Sequence, residues 1–167
     1  MTIRVCDERP GDARAVWRMH TDAFGRAAEA NLVDALRAAE KLGPSLVAVA
    51  GEEVVGHIAF SPATIADAPV ALGLGPMAVD PRHQRAGIGS ALVRHGLAAC
   101  ARAGRGVVVV LGHPAFYPRF GFVPAARHAL TCEYEGAGDA FMVAELWPGA
   151  LGGRCGLVRY RPEFAAV

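Results

Sequence analysis

The sequence predicts an α/β fold: a mixed domain built around one sheet, with the whole chain, residues 1–167, as a single unit. Three observations carry this. The apolar period switches from helical to strand-like at Gly43–Pro44. A long apolar stretch, Val70–Val79, is followed by a helical pattern and then by the β-branched run Val107–Leu111. Finally, 167 residues with 53% hydrophobic and 20% charged side chains suit one packed domain rather than a disordered chain.

Ile3–Cys6 reads as a short first strand. After Pro10, Asp12 is placed to cap a helix in which Ala13, Val16, Trp17, His20 and Phe24 recur at helical spacing. Gly25 ends it, and a second helix with Leu32, Val33 and Leu36 as its apolar stripe runs to Gly43–Pro44. Leu46–Ala50 and Val54–Phe60 form a hairpin across Gly51–Glu52. Pro62–Pro69 reads as a loop, Val70–Val79 as a buried strand, and Asp80–Arg85 as a polar connector. Gly87–Ala103 is a helix stopped by Gly104–Gly106, so Val70–Leu111 predicts a right-handed parallel crossover. A turn at His113–Phe120 and late strands at Phe141–Leu146 and Leu157–Tyr160 complete the order.

Composition excludes several classes. With a net charge of +1 and basic residues spread along the chain, no nucleic-acid or anionic-membrane footprint is expected. The longest apolar run, Val107–Leu111, falls far short of the ~20 residues a membrane span needs. Charges interrupt Thr2–Arg18, so no signal peptide is expected; Cys6, Cys100, Cys132 and Cys155 form no C-x-x-C pair and read as reduced thiols of a cytoplasmic protein. No pair of histidines falls at a metal-ligand spacing, and no metal is expected.

The chemistry concentrates in Gln84-Arg85-Ala86-Gly87-Ile88-Gly89-Ser90, between the long strand and its helix. Glycines at 87 and 89 let a ligand approach the backbone, and the opening helix offers unpaired N–H groups at its positive end. The segment predicts a phosphate cradle, with Arg82 and Arg85 at its rim. It lacks the Lys of a P-loop, and Leu92 stands where a dinucleotide fingerprint would need its third small residue.

What it does match is the Q/R-x-x-G-x-G/A pyrophosphate loop of the GNAT N-acetyltransferases, and the chain resembles that superfamily. The resemblance extends to Gly75-Pro76-Met77-Ala78-Val79-Asp80-Pro81 before the loop and to Tyr117-Pro118-Arg119-Phe120-Gly121-Phe122 after the next strand. It covers roughly Leu46–Val123; past Ala125 there is no family motif.

The resemblance implies a mostly antiparallel sheet whose parallel fourth and fifth strands splay into a cleft for acetyl-CoA. Met77, Ala78 and Val79 would line the acyl arm, and Gln84–Ser90 the pyrophosphate. Tyr117 stands where the family keeps its general acid. The family's fourth-strand Glu is missing here, which leaves His113 and Glu29 as base candidates, or ordered water. The implied activity is acetyl transfer to a primary amine, on a small molecule or a peptide, in a ternary complex. A non-catalytic acyl-CoA sensor is the alternative, distinguished by whether thiol is released. Glu133, Glu135 and Asp139 form a modest acidic stretch able to attract a cationic amine, or else a solvated loop. Homodimers are common in such families.

Overall fold

The computed structural model describes residues 2–167. The elements are β1 (Ile3–Asp7), α1 (Ala13–Phe24), α2 (Ala28–Ala38), β2 (Ser45–Ala50), β3 (Glu53–Ile65), β4 (Ala68–Val79), α3 (Ile88–Arg102), β5 (Val107–Leu111), β6 (Val123–Pro124), β7 (Leu130–Cys132), β8 (Phe141–Glu145) and β9 (Gly156–Arg159). They build one mixed sheet in the order β1-β2-β3-β4-β5-β8-β6, with β9 bridging β3 to β7. Pairing is antiparallel except for β4–β5 and β7–β9.

The sheet is buried on both faces, as the alternation in β5 demands. Val108 and Val110 pack with Ile88, Leu92 and Val93 of α3, while Val107 and Val109 join Val143, Val158 and Tyr160 on the opposite side. On that opposite side, Val16 of α1 and Val33 of α2 cover Val47 and Val49 of β2. Among the described residues no helix is long and apolar enough to cross a membrane.

Two expectations needed correction. Pro62–Pro69 is not a loop: β3 and β4 continue through it and turn only at Ala66 and Asp67, whose φ values of 47° and 67° are both left-handed. That is the tight two-residue hairpin geometry usually announced by Asn-Gly, so Ala-Asp disguised it. Pro62 is tolerated because β2 has ended by Ala59 and β9 joins only at Thr64, so β3 lacks a second neighbour there. Asp12 does not cap α1 through its side chain; its carboxylate accepts the Arg9 N–H at 2.8 Å and closes the preceding turn. The short β6 and β7 have too few residues to show a period and went unseen.

Candidate active site

β4 and β5 pair only over Leu72–Leu74 and Val108–Val110. Beyond that point β4 runs on to Val79 with β3 as its only strand neighbour among the described residues. The register between β3 and β4 slips by one residue between Ile58↔Met77 and Phe60↔Leu74, so β4 carries an extra residue around Gly75–Pro76. Such a bulge bends the strand that bears it, and here the bend falls where β5 departs. Further along, the Asp80 N–H donates to Val55 O at 2.8 Å. Ladder alternation then turns the peptide groups of Met77 and Val79 away from β3 and toward the open side.

The loop before α3 closes one end of this opening. A groove of about 350 Å³ is lined there by Val79, Gln84, Arg85, Gly87, Ile88, Gly89 and Ser90, together with His83, Phe116 and Arg119. The two glycines serve differently. Gly87 has φ +82°, a left-handed conformation, and a Cβ on it would meet nothing within 4 Å. Gly89 sits within α3, and its Cβ would lie 3.7 Å from the Phe116 ring and 3.9 Å from Met77 Cε and Val79 Cγ2. Gly87 therefore provides the turn, and Gly89 the space between loop and strand. With the first N–H groups of a fifteen-residue helix at its floor, the groove suits an anion.

Gln84 donates from Nε2 to Val79 O at 3.1 Å, tying the loop to the end of β4. Ala86 faces away, toward β1. Ala78 is paired with His57 on the face opposite Met77 and Val79. Arg82 is drawn off the rim: its guanidinium pairs with Asp80 at 2.8 Å and Glu53 at 2.5 Å. Hydrogen bonds from Arg82 in turn hold the Asp80 carboxyl down to about 2, against the opposing effect of burial, so Asp80 is no base. Arg119 and Phe116, absent from the sequence expectation, form the groove's other wall, with the guanidinium carbon 4.7 Å from the ring centre.

Tyr117 stands at the β5 end of the cleft on a short 3-10 turn, Tyr117–Phe120. Its ring is held edge-on by Phe116 at 5.0 Å and Phe122 at 5.6 Å. A Cβ at Gly112 would lie 2.4 Å from it. Burial pushes the phenol up to about 12, so it stays protonated at any physiological pH. His113 is exposed; what it gives the site is its carbonyl, which accepts the N–H groups of Phe116 at 3.0 Å and Tyr117 at 3.4 Å.

A second cavity, about 400 Å³, opens beside the bulge of β4. Gly75 and Pro76 form one wall, Glu29 and Leu32 of α2 another, and Tyr134, Tyr160 and Phe164 a third. Glu29 is 7% exposed despite its charge. Hydrogen bonds from Arg26 hold its carboxyl below the ordinary range, outweighing burial. The structure thus brings Tyr117, Val79 and the loop around one cleft and Glu29 to its side, while His113 stays at the surface. Of the acidic stretch, Glu133 is a structural anchor: its Oε1 accepts the Tyr160 N–H at 2.8 Å. The aromatic wall carried no family motif and was missed. Among the described residues no cluster of potential metal ligands occurs.

A family model described as an acetyltransferase (GNAT) domain matches residues 42–124. The N-acetyltransferase YhbS of Escherichia coli (strain K12) is 40% identical over 166 residues, covering 98% of both chains. Its crystal structure, in complex with CoA, aligns with a TM-score of 0.95 over 98% of this chain and 92% of that one. A GNAT family acetyltransferase from Brucella melitensis, crystallised with acetyl-CoA, aligns with a TM-score of 0.81 at 36% identity, covering 98% of each chain.

Proposed function

This chain belongs to the GNAT acetyltransferase family, and from that premise we propose that it moves an acetyl group from acetyl-CoA to a primary amine by direct attack in a ternary complex. One observation carries the reading. The parting of β4 from β5 beyond Leu74 exposes the Met77 and Val79 peptide groups in line with a groove built for an anion. The relatives' complexes with CoA and acetyl-CoA agree with it.

In this reading the backbone of Gln84–Ser90 binds the pyrophosphate and Met77–Val79 align the acyl arm. The Val79 N–H polarises the thioester carbonyl, stabilisation that costs no reorganisation because the strand is already fixed. Acetyl-CoA supplies the activated acetyl group as a thioester. The amine nitrogen forms the new C–N bond as the C–S bond breaks; the nitrogen loses one proton and the sulfur gains one. Tyr117 donates the proton to sulfur, as a neutral phenol in an apolar cluster is suited to do.

Among the described residues Glu29 is the only acidic side chain lining the acceptor side. Arg26 makes it too weak a base to strip an ammonium by itself, so it steers the amine while solvent at the mouth removes the proton. The chemistry is then mostly positioning.

Calorimetric titration with acetyl-CoA, against ATP and NAD as controls, tests the cosubstrate. Free-thiol release with an amine tests transfer. Selective binding with no thiol release from any amine would leave a sensor of acyl-CoA in place of an enzyme.

A further inference from the structure

The cavity beside Glu29 has features that acetyl transfer in general does not require. Tyr160 lies on its wall, 8% exposed, and its hydroxyl is fully buried with no hydrogen-bond partner in the chain. A buried hydroxyl left unpaired loses its hydration without a bond in return, so this is not where packing alone would leave a tyrosine in place of a phenylalanine.

The placement is also enforced. Glu133 fixes the Tyr160 backbone N–H at 2.8 Å. Gly73 of β4 allows the ring to lie against the strand, since a Cβ there would sit 2.6 Å from it. Tyr160 lies between Phe164, at 5.1 Å between ring centres, and Tyr134, at 6.1 Å, both rings tilted against it. The strand beneath the ring is the last stretch of β4 paired with β5.

The rest of the lining limits the ligand. Leu32, Leu74, Pro76 and Leu111 join the three aromatic rings, and among the described residues the only charged side chains in the lining are Glu29 and Arg26, already paired with each other. A polycationic or polyhydroxylated acceptor would need several carboxylates or many hydrogen-bond partners. This surface offers a neutral ion pair and an unpartnered phenol in an apolar box of about 400 Å³, within the range of small-molecule sites.

We propose that this cavity is the acceptor site for a small primary amine carried on an aromatic or branched apolar group. The rings hold the carrier, and the Tyr160 hydroxyl oxygen accepts one amine N–H, turning the lone pair toward the cleft. The inference rests on the acetyl-transfer reading above.

The test measures thiol release from acetyl-CoA with 2-phenylethylamine, spermidine and kanamycin, on the wild type and on Tyr160→Phe, with acetyl-CoA affinity determined for both. The expected result is a kcat/KM for 2-phenylethylamine at least tenfold above that for the other two amines. Tyr160→Phe keeps the ring and the acetyl-CoA affinity, and lowers that kcat/KM about tenfold, the scale of one lost buried hydrogen bond. A preference for spermidine or kanamycin with acetyl-CoA bound overturns the acceptor inference alone, as does an unaltered kcat/KM in Tyr160→Phe. Failure to bind acetyl-CoA, or binding without thiol release from any amine, overturns the acetyl-transfer reading and the inference with it.

Discussion

His20 Nε2 of α1 lies 2.8 Å from His57 Nδ1 of β3, and neither imidazole is exposed at all. The contact continues to the sheet edge. Ser45 Oγ is 2.8 Å from His57 Nε2, and Glu8 accepts hydrogen bonds from Ser45 and Arg37. This buried polar chain pins α1 and β1 to the sheet next to Ala78, the residue opposite His57.

Acid should therefore loosen the fold. Burial, together with the neighbouring His57, lowers His20 to about 3. Burial opposes ionisation of Glu8, but hydrogen bonds from His57 and Ser45 and the charges of His57 and Arg37 outweigh it and bring Glu8 to about 2. In both cases the folded state binds fewer protons than the unfolded one. Stability is then lost as pH falls, for His20 from about 6.5 toward 3 and for Glu8 from about 4.5 toward 2. Thermal melting from pH 8 to pH 4 should show Tm declining already between 6.5 and 5, before carboxylates titrate. A flat Tm across that interval would refute the His20 assignment.

Glu29→Gln should raise KM for the amine about tenfold, leave acetyl-CoA affinity unchanged and leave the ascending limb of the pH–rate profile where it is. The reason is that Arg26 keeps the carboxyl below its ordinary range, which favours attraction over proton acceptance. Steady-state kinetics from pH 6 to 10 checks this, and loss of the ascending limb would restore Glu29 as the base. His113→Ala, at an exposed position, should alter neither limb.

Tyr117→Phe should lower kcat about a hundredfold with acetyl-CoA affinity within about twofold, the low end for a lost general acid. Since burial raises the phenol to about 12, the wild type should show no descending limb from Tyr117 below pH 10. Gly112→Ala approaches the same group from behind: its Cβ would fall 2.4 Å from the ring, which must move. A comparable fall in kcat is expected, and unchanged turnover in both variants would remove Tyr117 from the acid role.

The central third of the chain was legible because its chemistry is local. Loop, helix start and the flanking strands are contiguous between Val70 and Leu111, and β5 emerged with its observed bounds. What stayed hidden depends on distant partners. His20 reads only as one position of a helical stripe and His57 as an interior residue of the Val54–Phe60 strand, and only folding brings together groups 37 residues apart. Tyr160 and Phe164 line a cavity with Glu29 from the far end of the sequence, and no period or spacing in the last third announces it. Glu133 read as surface charge because its partner is a backbone N–H, which sequence does not display.

The cradle's glycines give the sharpest contrast. At Gly89 an added Cβ meets only ordinary van der Waals neighbours, so Gly89→Val leaves the free protein sound, and valine is no worse than glycine in a helix. Its methyl groups must then occupy the gap between Phe116, Met77 and Val79 that the ligand needs, and acetyl-CoA affinity should fall roughly a hundredfold, about 3 kcal/mol. At Gly87 the space is open but φ is +82°, so Gly87→Val strains the backbone by about 1–2 kcal/mol and should lower Tm as well as weaken binding. Calorimetric titration paired with thermal melting separates the two effects. If Gly89→Val bound acetyl-CoA normally while keeping its Tm, the ligand would not pass between the loop and β4, and the assignment of the groove would fail.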